Sequence, residues 1–154
     1  MKKITSLLIA VFLIAFSGCK KGDSGSSPAD DNSKTELLTS KPWKNYSVKV
    51  KQNDGTWQDS PIPDCQKDDL KFFESDGSVY RDKGAQRCPT ETDSDKAKEA
   101  TWKWNSDQSV LITDSPQVGI IQNKVEKLDK DVMILYYPGT GGTSTSEILQ
   151  EFRH

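Results

Sequence analysis

Histidine is almost missing from this chain: one occurs among 154 residues, and it is the last, His154. An imidazole general base therefore has no internal candidate, and no Ser-His-Asp set can be assembled. Cysteine is nearly as scarce, with only Cys19, Cys65 and Cys88. No two of them form a C-x-x-C pair, and a zinc site would need more nitrogen and sulfur ligands than these. No apolar run is long enough to cross a bilayer: residues 4–16 number 13, against about 20 for a spanning helix. An excess of one charge is lacking too, with 21 basic and 23 acidic side chains spread along the chain, so there is no basic face for nucleic acid. The expectation is a protein that is not an enzyme, with no metal, no cofactor and no nucleic-acid partner.

What is present begins at the N-terminus. Met1-Lys2-Lys3 is a short basic start, residues 4–16 are almost wholly apolar, and the small residues Ser17-Gly18 lead directly to Cys19. The polar stretch Lys20-Lys21-Gly22-Asp23-Ser24-Gly25 follows. That order fits a secretory signal peptide over residues 1–18. The segment Phe16-Ser17-Gly18-Cys19 resembles the lipobox of bacterial lipoproteins. Ser17, Gly18 and Cys19 match it, and Phe16 stands where an aliphatic residue is usual. The resemblance implies cleavage before Cys19 and a diacylglycerol thioether, with acyl chains such as palmitate, on its sulfur. One acyl chain holds a protein to a membrane only marginally, whereas two or three hold it stably. Lys20 rather than an aspartate follows the cysteine, so the inner-membrane retention signal of some bacterial lipoproteins is missing. The expected location is the outer membrane, through a lipid anchor.

Removing residues 1–18 takes away two lysines and no acid, which leaves 19 basic against 23 acidic side chains, a net charge of −4. Residues 19–36 are rich in Lys, Ser, Asp and Gly. So polar a stretch buries too little to offset its ordering entropy, and it reads as a flexible tether. Residues 37–154 are then one domain of 118 residues that holds all four tryptophans and all four tyrosines. Export puts Cys65 and Cys88 in an oxidising compartment, where pairing is the default; a metal site and a reactive thiol are the other readings. Closing that loop of about 24 residues stabilises by about 3 kcal/mol in the chain-entropy model.

Within the domain the pattern is strand and turn. Tyr46, Val48 and Val50 alternate with Ser47, Lys49 and Lys51 after Trp43, as on a half-buried strand. Asn53-Asp54-Gly55 ends that run, and residues 57–69, with Pro61, Pro63 and Cys65, read as an irregular connection. Leu70-Lys71-Phe72-Phe73 and Val79-Tyr80-Arg81 flank Ser75-Asp76-Gly77-Ser78, a strong hairpin signal. Residues 83–97 read as a loop around Cys88. Further strands follow at residues 100–104, 110–113, 118–128, 132–137 and 144–152. About eight strands with short connections predict an all-β, antiparallel up-and-down barrel, with a β-sandwich as the alternative. Closure removes the edge strands that an open sheet leaves free to aggregate.

The order of these pieces resembles the lipocalin-like domain of many small lipoproteins of Gram-negative bacteria. The matching residues are Leu37-Leu38-Thr39-Ser40-Lys41-Pro42-Trp43-Lys44, Cys65-Gln66-Lys67-Asp68-Asp69, Phe73-Glu74-Ser75-Asp76-Gly77-Ser78, Cys88, Thr101-Trp102-Lys103-Trp104, and Leu128 with Met133, Leu135 and Tyr137. The resemblance implies an eight-stranded calyx and a Cys65–Cys88 bridge, and it implies no activity. It turns Trp43, Phe73, Val79, Trp102, Trp104, Met133, Leu135 and Tyr137 inward. An eight-stranded barrel is either filled by such side chains or holds one small ligand. Two functions follow. One is a lipid-anchored module that binds a small apolar or amphipathic ligand among these eight residues. The other is a solid barrel that meets another envelope protein through the loops at residues 57–69 and 83–99. The paired carboxylates Asp68-Asp69 and Asp93-Ser94-Asp95 read as solvated loop residues. Gly139-Thr140-Gly141-Gly142 reads as a hairpin turn, since no Gly-Lys-Ser/Thr follows.

Overall fold

Polar–apolar alternation over a few residues, broken by Asp-Gly and Pro-Gly turns, favours short antiparallel strands over helices. In a computed structural model, which describes residues 31–89, 91, 95–139 and 146–154, helix α1 (Asp31–Thr39) precedes nine strands. These are β1 (Trp43–Lys51), β2 (Trp57–Ser60), β3 (Leu70–Phe73), β4 (Ser78–Asp82), β5 (Lys96–Trp104), β6 (Val110–Ser115), β7 (Gly119–Leu128), β8 (Val132–Tyr137) and β9 (Ile148–Arg153). The signal segment, Cys19, the first part of the tether, Asp93-Ser94 and the turn from Thr140 lie outside the described residues. Strands β1 and β3 to β9 pair antiparallel in order, and β1 closes on β9. The result is a closed eight-stranded barrel with β2 as one extra strand on β1. Closure decides between the two expected architectures, because a sandwich would leave two separate sheets.

Three local departures from the sequence reading have physical causes. The register of β1 against β9 shifts between Asn45 and Ser47. That bulge throws Tyr46 outward, 55% exposed, and reverses the parity of the strand. Trp43 and Asn45 before it therefore share the inner face with Val48 and Val50 after it. Secondly, part of the expected irregular connection is strand β2, which pairs from Val48↔Ser60 to Lys51↔Trp57. Its first three residues are exposed, so no apolar alternation announces them. Thirdly, β5 starts at Lys96, inside the expected loop; Lys96-Ala97-Lys98 alternates charge with a small residue instead of a large apolar one, so it carries no strand signal.

The expected tether also ends early, because residues 31–36 belong to α1. A helix of nine polar-rich residues is marginal alone in water, so its contacts hold it. Leu38 is fully buried. The indole N–H of Trp43 donates to the Leu38 carbonyl at 2.9 Å, and that of Trp104 donates to Thr35 Oγ1 at 3.1 Å. Lys34 Nζ reaches the Gln108 carbonyl in the β5–β6 turn at 2.9 Å. The helix thus stops one end of the barrel, where β1 begins and β5 finishes. The core lies beneath it: Leu38, Trp43, Phe73, Val79, Ala100, Trp102, Leu111, Met133, Leu135 and Phe152 are buried in one cluster.

The β3–β4 hairpin locks onto this core through Gly77. Its φ of +81° favours glycine, its carbonyl accepts the Trp102 N–H at 2.7 Å, and a Cβ there would stand 3.2 Å from the Trp102 oxygen. Trp102 Nε1 in turn donates to the Glu74 carbonyl at 2.9 Å. Each buried indole thus has an acceptor, which large polar-tipped rings require in a core.

Candidate functional site

Towards the other end of the barrel the inner face changes chemistry. Two residues from the buried Phe73, on the same side of β3, stands Lys71; two residues from the buried Val79, on the same side of β4, stands Arg81. The two are register partners. Glu99 occupies the bulge where Val79 pairs with Ala100 but Tyr80 pairs with Lys98, and the bulge brings its carboxylate to 2.7 Å from Lys71 Nζ. On β6, Thr113 and Ser115 continue the inward row that begins at Leu111. These residues, with Phe73, Val79, Ala97, Ala100, Val118 and Ile121 as the apolar part of the lining, surround a cleft of about 580 Å³ that opens at the end opposite α1. Gln150 Nε2 donates to Asn45 Oδ1 at 2.6 Å on the facing wall. Polar side chains thus occupy this half of the interior on most of the strands.

Arg81 is the hub. Its Nε donates to Asp69 Oδ2 at 2.8 Å, and its terminal nitrogen lies 2.7 Å from both Asp69 Oδ2 and Glu91 Oε1. Burial opposes the arginine charge, but Asp69 and Glu91 outweigh it and raise its pKa. Asp69 is only 6% exposed and its Oδ1 has no hydrogen-bond partner. Burial therefore pushes the Asp69 carboxyl above the usual carboxylate range in spite of Arg81. Glu91 moves the other way: burial raises it, while the Cys88 N–H and the charges of Arg81 and Lys83 more than offset that. Asp69, Arg81, Lys71 and Glu99 also border a smaller chamber of about 180 Å³ beside Trp43, Asn45 and Gln66.

Two loops bring the acids to Arg81. The first carries a 3₁₀ turn (Asp64–Gln66) and leads into Asp69; the second follows β4 and carries Glu91. A Cys65–Cys88 disulfide joins them, with a Cα–Cα separation of 5.0 Å. Asp68 Oδ2 adds a brace by accepting the Ala85 N–H at 2.8 Å and the Gln86 N–H at 3.1 Å. Gly84 makes the brace possible, since its φ is +61° and a Cβ would meet the Asp68 carboxylate at 2.5 Å. The Asp68-Asp69 pair is therefore structural, and Asp69 is not solvated as the sequence suggested.

The eight residues expected to face inward divide clearly. Trp43, Phe73, Val79, Trp102, Met133 and Leu135 are buried in the core cluster, and Trp104 packs against it half-buried. Tyr137 stands apart, half-buried opposite Ile148 near the open end. The other seven fill the closed half by packing on one another, as in the edge-to-face contacts of Trp102 with Phe73 and Trp104 at 6.1 and 6.0 Å. Of the eight, Phe73 and Val79 border the cleft and Trp43 the smaller chamber. Sequence reading missed Lys71, Arg81, Glu99 and Thr113. Parity was the available signal for three of them: Lys71 and Arg81 share a face with Phe73 and Val79, and Thr113 with Leu111. Glu99 is hidden by its bulge.

A second hollow of about 580 Å³ lies on the outer wall over the bulge of β1, beside Pro61-Ile62, and is bordered by Tyr46 and Arg153, which stack on each other at 3.4 Å. Among the described residues no three His, Cys, Asp or Glu side chains are grouped to hold a metal ion, and no helix is long and apolar enough to cross a membrane. Compared with known proteins, the chain matches no family model, no curated protein sequence and no solved structure.

Proposed function

We propose that this protein is a lipid-anchored binding module of the bacterial outer membrane, without catalytic activity, whose lipocalin-like barrel holds one small amphipathic molecule in its open half. The anchor rests on the lipobox-like Phe16-Ser17-Gly18-Cys19. The observation that carries the binding reading is the division of the interior: an aromatic core packed under α1 at one end, and a cleft of about 580 Å³ with mixed polar and apolar walls at the other. That volume lies within the range of small-molecule sites, about 300–1,000 Å³. The mixture favours an amphipathic ligand over a purely apolar one, because an apolar molecule would strand Lys71, Arg81 and Glu99 without solvent. The cleft supports this reading over a solid module that serves only as a protein contact.

Native mass spectrometry of the protein released from its own membranes tests this. The wild type should carry a noncovalent small molecule that dissociates on activation. Ala97→Trp should not, because Ala97 is half-buried on the cleft wall and an indole there would occupy the space. Unliganded masses for both proteins, differing only by the substitution itself, would refute binding and leave protein contact through the loops as the function.

A further inference from the structure

The charges inside the open half say what kind of polar group it takes. We infer that the cleft recognises an uncharged, hydroxyl-bearing headgroup, such as a sugar, and discriminates against carboxylate and ammonium heads; this rests on the ligand-binding reading above.

The first observation is pairing. Lys71 holds Glu99 at 2.7 Å, and Arg81 holds both Asp69 and Glu91 at 2.7 Å. An anionic head would have to compete with these carboxylates for the same two cations and would lie beside like charge. A cationic head meets the mirror problem with Lys71 and Arg81. Separating a partly buried ion pair leaves an uncompensated charge, which is strongly unfavourable. Of the other cations that border the cleft, Lys83 is buried and helps hold Glu91 ionised, and Lys98 is register partner of Tyr80 on the outer face. The ions facing the interior are therefore already balanced against one another.

The second observation is an acceptor left over. Asp69 Oδ1 is buried with no donor and borders the smaller chamber, which shares Lys71, Arg81 and Glu99 with the cleft; an O–H of a neutral polyol reaching past Arg81 supplies that donor without adding charge. On β6, the neighbour of the strand that carries Glu99, Thr113 adds a hydroxyl to the wall, and Ser115 adds another whose O–H is already donated to Gln117 Oε1. Hydroxyl groups both donate and accept, so they match a wall of carboxylate and hydroxyl oxygens in a way that a carboxylate head cannot.

Three amphiphiles with one tail separate the possibilities: octyl glucoside, octanoate and octylamine, titrated calorimetrically below their micelle concentrations into the full mature domain. Octyl glucoside should bind at least about tenfold more tightly than either ionic compound. Raising salt from about 0.05 to about 0.5 M should leave its Kd within about twofold, since a neutral head has no Coulomb attraction to screen. Thr113→Val, isosteric and outside the ion network, should weaken octyl glucoside by about fivefold, the worth of one hydrogen bond. Tightest binding by octanoate or octylamine, or equal binding by all three, overturns the neutral-headgroup inference and leaves the cleft as a ligand site. No binding by any of the three, together with unliganded wild-type protein in the mass spectra, overturns both.

Discussion

Truncating Leu38 to alanine should destabilise the oxidised domain by about 2.5–4 kcal/mol. The side chain is fully buried in the cluster that holds Trp43, Leu111 and Met133. Three carbons are removed, at about 0.8 kcal/mol per buried methylene, which sets the lower figure. The upper figure applies if the void persists, and α1 has little freedom to sink into it. Its backbone and Thr35 side chain accept hydrogen bonds from the indoles of Trp43 and Trp104, and Lys34 ties it to the β5–β6 turn. Urea unfolding followed by tryptophan fluorescence, with the disulfide intact, reads the change as a lower midpoint at unchanged slope. Thermal unfolding should show a fall in Tm of roughly 8–15 °C for a domain of this size. A loss below about 1 kcal/mol would refute the reasoning, because α1 would then not be stopping the barrel.

Replacing both Cys65 and Cys88 with serine should lower stability by about 3 kcal/mol, read as a fall in the urea midpoint; an unmoved midpoint would show that the other braces between the loops suffice. The Asp129 carboxyl should titrate at about 2, because it accepts the backbone N–H groups of Asp131 and Val132 and pairs with Lys127. A folded value depressed below 3.8 means that its contribution is complete at neutral pH and is lost as pH falls from 3.8 towards about 2. Carboxyl NMR giving an ordinary aspartate value would contradict this. Cys19→Ser should abolish incorporation of labelled palmitate and move the protein from the membrane pellet to the soluble fraction, and continued labelling would refute the anchor.

Much of the barrel was legible because its strands carry their own alternation and their turns carry Asp-Gly and Pro-Gly signals. Phe73-Glu74-Ser75-Asp76-Gly77-Ser78 became a hairpin as expected, with Gly77 at positive φ. The disulfide was legible too, since only two cysteines remained once Cys19 was set aside. What escaped was whatever depends on tertiary context. Helix α1 lies in a polar stretch whose local propensity is weak, and it is held by indole donors that come from β1 and β5. Strand β2 is exposed and so lacks an apolar signature. The site escaped because aromatics carry the clearest inward pattern, and at the closed end aromatics are filling. The chemistry sits one step further along the same faces, in Lys71 and Arg81, and a bulge that no pattern announces turns Glu99 to meet them.

The most direct measurement is an amide NMR map of the domain titrated with a lipid extract of its own envelope. A molecule in the open half should shift the amides of Lys71, Arg81, Thr113, Ser115 and Ile121, which border the cleft, and Ala97→Trp should erase those shifts. Shifts gathered instead around Tyr46 and Arg153 on the outer wall, or no shifts at all, would contradict a ligand site inside the barrel.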